Sequence, residues 1–79
     1  MRIVAEIPHR DCKITIFNWN NKYLLKFEQP FFEQTYKISA FDVTGEDDVK
    51  ALITSEFIEE VLKNFEEMGK SLAQAMRGI

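Results

Sequence analysis

The 79-residue chain has one cysteine, one histidine, one tryptophan, two prolines and three glycines. A single cysteine excludes a disulfide scaffold. Three glycines leave little for a phosphate-cradling loop, and no Walker loop, dinucleotide fingerprint, Gly-x-Ser-x-Gly elbow or His-Glu-x-x-His motif is present. No run approaches the roughly 18 apolar residues of a membrane span. The opening stretch, Met1 to Glu6, lacks the uninterrupted apolar segment of a signal peptide. Hydrophobic residues make up 46% of the chain and aromatics 13%, which excludes wholesale disorder. These absences predict a single cytoplasmic domain over residues 1–79, without enzymatic activity, cofactor or membrane association.

What is there points to assembly. A domain this short buries only about 60–65% of the surface of its unfolded chain. A core of that size rarely supplies more than roughly 3–5 kcal/mol net. With no disulfide available, a homodimer is the natural reinforcement. The net charge of −3 conceals an asymmetry: residues 1–41 carry +2 and residues 42–79 carry −5. That balance disfavours indiscriminate binding to duplex DNA or anionic membranes.

Four strands follow from the pattern. Ile3, Ala5 and Ile7 alternate with Arg2, Val4 and Glu6, predicting a strand over about 2–8 that ends at Pro8. Two β-rich runs, 12–19 and 22–29, flank Asn20-Asn21, a pair suited to a two-residue type I′ turn. That turn sets Trp19 opposite Lys22, Phe17 opposite Leu24, Ile16 opposite Leu25, Thr15 opposite Lys26, Ile14 opposite Phe27 and Lys13 opposite Glu28. Ile14, Ile16, Leu25 and Phe27 then share one face, and Lys13 meets Glu28 on the other. Pro30-Phe31 suits a second turn into a strand over about 33–41, with Tyr36 opposite Leu25 and Ile38 opposite Tyr23. Glu28 would then face Glu33, an unfavourable pair that points to a wider or bulged turn.

After Asp42 the period changes to that of a helix. Thr44 reads as an N-cap ahead of Glu46, Asp47 and Asp48, starting a helical segment over about 45–53 with Val49, Leu52 and Ile53 as its apolar stripe. Thr54-Ser55 is a second start signal. From Phe57 to Met76 apolar residues recur every three or four positions, predicting an amphipathic helix over about 55–76. Glu59 with Lys63 and Glu66 with Lys70 stand at the favoured i,i+4 spacing. Gly69 lies within the apolar stripe, where it permits close approach of another element. Gly78 lies where a helix-terminating glycine belongs. The last turn, Leu72 to Met76, is expected to overhang the sheet toward a partner. The order ββββα predicts an α+β fold, an antiparallel meander of three or four strands under a long C-terminal helix.

Candidate chemistry is sparse. His9 and Cys12 could give two metal ligands, but structural zinc takes four. As a nucleophile and base they lack an orienting third group. Cys12 shares the parity of Ile14 and Ile16 and reads as a small core residue. Glu46, Asp47 and Asp48 lack the spacing of a calcium loop, and the helix dipole accounts for them. No catalytic residue and no metal site are expected.

The informative feature is the second sheet face. It carries Phe17, Trp19 and Leu24, ringed by Lys13, Lys22, Lys26 and Lys37. An apolar cluster where a solvated face should be polar marks an interaction site. Another copy or another protein could cover it, with the lysines as a polar rim. Alternatively, its aromatics could stack on unpaired bases of single-stranded nucleic acid while the lysines track phosphate. A third possibility is a small regulatory subunit whose acidic helix docks a basic partner. The chain has the look of a short bacterial protein. Its ββββα order resembles the repeat unit of PUR and Whirly-type single-strand-binding domains in topology only. That resemblance implies paired units and single-strand binding.

Overall fold

The computed structural model describes all of residues 1–79. Strands β1 (Arg2–Ile7), β2 (Lys13–Trp19), β3 (Lys22–Glu28) and β4 (Glu33–Ser39) form one antiparallel sheet in the order β1-β2-β3-β4. Helices α1 (Glu46–Ala51) and α2 (Ser55–Met76) follow, so the fold is α+β with the order ββββα, and the sheet has four strands. No helix is long and apolar enough to cross a membrane.

The β2–β3 hairpin turns as its sequence requires. Asn20 and Asn21 hold φ of 55° and 59°, the left-handed pair of a type I′ turn. Every pairing from Trp19 with Lys22 to Lys13 with Glu28 is present. β3 and β4 pair without a shift, Leu25 with Tyr36 and Tyr23 with Ile38. The expected widening of the second turn does not occur: the Gln29 N–H donates to the Phe32 carbonyl at 2.9 Å, and Glu28 stays opposite Glu33. Lys26 makes this register tolerable, its Nζ lying 3.8 Å from Glu28 Oε2 and 3.7 Å from Glu33 Oε2.

The first strand departs from simple alternation. Ile3 pairs with Phe17, but Ala5 pairs with Ile16, so Val4 is the extra residue of a β-bulge. Val4, Ala5 and Ile7 all pack against the core. Ile3 is turned to the opposite face, where it is 56% exposed. Arg2 comes to the helical side, and its guanidinium donates to Glu46 of α1 at 2.5 Å. The bulge thus exchanges Ile3 for Val4 in the core and adds an ion pair at the acidic start of α1.

The core lies between one sheet face and the helices. Ile14, Ile16, Tyr23, Leu25 and Phe27 meet Val49 of α1 and Val61 and Phe65 of α2. Cys12 joins them as a buried residue. Phe27, Tyr36 and Phe57 form a triangle of edge-on rings with centroids 5.2 to 6.0 Å apart. Gln34 bridges the layers by donating its amide to the Val61 carbonyl at 2.8 Å and accepting from the Tyr36 hydroxyl at 3.1 Å.

Several local expectations need correction. β4 stops at Ser39, whose hydroxyl accepts from the Phe41 N–H and starts a short 3-10 turn over Ala40–Asp42. Thr44 is not the N-cap of α1: Gly45 holds that position, and Thr44 donates its N–H and hydroxyl to the Asp48 carboxylate. α1 ends at Ala51, which leaves Leu52 partly exposed. Thr54 does cap α2, its hydroxyl accepting from the Phe57 N–H at 3.1 Å. Lys63 and Lys70 pair with Glu60 and Glu67 at i,i+3, rather than with Glu59 and Glu66. Gly78 takes no left-handed φ; Arg77, Gly78 and Ile79 close the helix with successive i−3 bonds. A 22-residue helix runs about 33 Å and a 7-residue strand about 23 Å, so α2 outreaches the sheet. From Lys70 onward every residue is exposed, including Leu72 and Met76.

Candidate interaction face

The face of the sheet away from the helices is built by strand parity. Row by row it places Ile3, Phe17, Leu24 and Lys37 side by side, then Glu6, Thr15, Lys26 and Thr35, then Trp19, Lys22 and Ser39, then Lys13, Glu28 and Glu33. All seven residues singled out from the sequence, namely Phe17, Trp19, Leu24, Lys13, Lys22, Lys26 and Lys37, lie on it.

Their exposure differs from the expected open patch. Leu24 is buried at 8% and Thr15 at 2%. Met1 lines a pocket on this face together with Phe17, Leu24, Lys26, Glu33 and Thr35. Phe17 is half-buried. The accessible apolar surface is displaced to one side: Ile3, Trp19 at 50% and Met1 at 73%. Sequence reasoning missed Ile3 and Met1, because strict alternation assigns Ile3 to the core.

The lysines are not equivalent. Lys26 serves two carboxylates, Glu28 and Glu33. Lys13 stands opposite Glu28 in register, yet the carboxylate of Glu28 lies by Lys26, and no ion pair includes Lys13. Neither Lys22 nor Lys37 takes part in an ion pair. The expected Lys13–Glu28 pair is therefore replaced by a three-member cluster on β3 and β4.

Cys12 belongs to the core side of the sheet, and His9 lies in the β1–β2 turn, lining a pocket with Lys13 and Glu28 at the end of this face. His9 Nδ1 accepts from the Asp11 N–H at 3.1 Å, a local turn bond. Burial, and secondarily the nearby Asp11 charge, push the Cys12 thiol above its ordinary value, so its reactive thiolate form is suppressed. No three His, Cys, Asp or Glu side chains converge in a way that could hold a metal ion.

No protein-family model, curated protein or solved structure matches this chain.

Proposed function

We propose that this chain is a non-enzymatic binding and assembly module that works as a homodimer and takes a protein partner on the open face of its sheet. One observation carries the reading: the bulge at Val4 extends Phe17 and Leu24 into an apolar row across three strands, ending in the half-exposed Ile3. Met1 and Trp19 enlarge its accessible part, and Lys13, Lys22 and Lys37 stand around it. An apolar centre with a charged rim is the usual anatomy of a protein interface. A surface chosen only for solvation would not carry these residues together.

Single-stranded nucleic acid is the second reading, favoured by the half-exposed Trp19 ring opposite Lys22. Stacking and phosphate contact need such a pair. Against it, Lys26 is already committed to two carboxylates.

Emission of Trp19, the only tryptophan, separates the two readings. Under the protein reading, mixed-sequence single-stranded RNA or DNA leaves the emission unchanged at low and high salt. Saturable quenching at low salt that vanishes at high salt would put nucleic acid in its place. Affinity capture with wild type, an Ile3→Glu/Phe17→Glu variant and a variant with Glu59, Glu60, Glu66 and Glu67 reversed to lysine locates the binding surface. Loss of captured protein with the first variant alone is expected. Loss with the helix variant alone would move the interaction to α2.

A further inference from the structure

The two edges of the sheet are unlike. β1 is broken by its bulge and followed by Pro8, devices that discourage a further strand. β4 runs Glu33 to Ser39 without a bulge or proline, and its outer side has no strand partner. Backbone alternation fixes which residues address that free edge. The bond between the Gln29 N–H and the Phe32 carbonyl makes those two a hydrogen-bonded pair. Along β4, Gln34, Tyr36 and Ile38 then bond to β3, while the N–H and C=O groups of Glu33, Thr35 and Lys37 point outward.

The same three residues carry the exposed side chains of β4, and their order is self-complementary. An antiparallel two-fold pairing centred on Thr35 sets Thr35 against its own copy. It sets Glu33 against Lys37 of the second molecule, twice. Shifting the centre by one residue in either direction loses both charge pairs. The electrostatics inside one molecule leave these groups ready for it: Lys26 alone faces the two carboxylates Glu28 and Glu33, at 3.8 and 3.7 Å, while Lys37 has no carboxylate partner. Pairing supplies the missing cation to Glu33 and the missing anion to Lys37.

We infer that two copies of this chain join edge to edge through β4, about a two-fold axis at Thr35, into one continuous eight-stranded sheet. Opposite charges directly across an antiparallel pair are favourable and like charges unfavourable, and symmetry doubles each effect. The two open faces become one surface of double width. This inference specifies the homodimer of the reading above, but it concerns a different surface from the Ile3–Phe17–Leu24 row.

Sedimentation equilibrium of four samples tests it: wild type, Lys37→Glu, Glu33→Lys, and the two variants mixed in equal amounts. Wild type dimerises. Each variant alone meets like charges at both symmetry-related contacts and dimerises at least about tenfold more weakly. The mixture restores opposite charges at both and forms a heterodimer of wild-type strength. A monomeric wild type, single variants that dimerise normally, or a mixture that stays dissociated would each overturn the inference. Thr35→Cys tests the axis without altering charge. Residues in a hydrogen-bonded pair stand about 5.5 Å apart at Cα, within disulfide range. Mild oxidation is expected to give a covalent dimer of Thr35→Cys and none of Lys22→Cys; equal yields would overturn the inference. An Ile3→Glu/Phe17→Glu variant that still dimerises but loses its partner supports both readings. One that loses dimerisation moves the dimer to the open face and overturns the edge pairing.

Discussion

Glu28 and Glu33 stand directly opposite one another on β3 and β4, and both carboxylates lie within 4 Å of a single ammonium, that of Lys26. The pair looks like an error in the strand register until Lys26 is placed. It shares the face, two residues from Glu28 on β3 and diagonal to Glu33, so one cation bridges two anions.

Lys26→Gln leaves that carboxylate pair unbridged. Its side chain is 31% exposed, so solvent screens the effect, and a loss of about 0.5–1 kcal/mol is expected. Urea unfolding at fixed protein concentration measures it. The loss shrinks in high salt, and adding Glu33→Gln to the variant removes most of it, because no like-charge pair remains. A salt-independent loss would assign the role of Lys26 to the packing of its stem.

Phe27 is the hub of the core. It is fully buried and makes edge-on contacts with Tyr36 at 6.0 Å and Phe57 at 5.4 Å, so it ties β3 to β4 and to α2. Phe27→Ala removes a large ring from a site closed on all sides, at a cost of about 3–5 kcal/mol. That reaches the roughly 3–5 kcal/mol which the core of a domain this size rarely exceeds. The variant is expected to lose its cooperative thermal transition by circular dichroism, whereas Phe27→Leu keeps a transition at lower temperature.

Much of this core was legible in the sequence, because local rules fix it. Asn20 and Asn21 dictate a tight turn, the turn dictates register, and register places Ile14, Ile16, Leu25 and Phe27 on one face. The bulge at Val4 was not legible, since Ile3, Ala5 and Ile7 alternate well. What accompanies it is distant in sequence: Arg2 reaches Glu46, 44 positions away. The same bulge placed Ile3 on the candidate face. The burial of Leu24 was not legible either: alternation assigns it to the open face, but on the interior strand β3, between Phe17 and Lys37, it is only 8% exposed.

Gly69 offers a gain in stability. It lies inside α2, where glycine is less favourable than alanine by about 0.8–1 kcal/mol. A Cβ added there would lie 3.8 Å from the Phe32 ring, an ordinary contact. Gly69→Ala is therefore expected to stabilise the protein by about 0.5–1 kcal/mol in urea unfolding. Destabilisation would show that α2 and the β3–β4 turn pack more closely than this spacing.

The acid limb of stability should depend on Asp48. The hydroxyl of Thr44, and secondarily its N–H, donate to the Asp48 carboxylate and hold its pKa below the ordinary value of 3.8. A carboxyl depressed on folding adds stability that is fully present above its unfolded pKa and is lost as pH falls through its folded one. The relevant window therefore opens near pH 4 and extends downward. Asp48→Asn removes the titrating group and should flatten the stability-versus-pH curve in that window, while lowering stability at neutral pH. Thr44→Val removes only the hydroxyl donor, so Asp48 returns toward its ordinary value and the slope decreases part of the way. Unfolding midpoints in urea from pH 5 to pH 2 compare the three proteins. Identical slopes in all three would mean that the Thr44–Asp48 contact does not persist in solution, and the start of α1 would then rest on the Arg2–Glu46 pair and the burial of Val49.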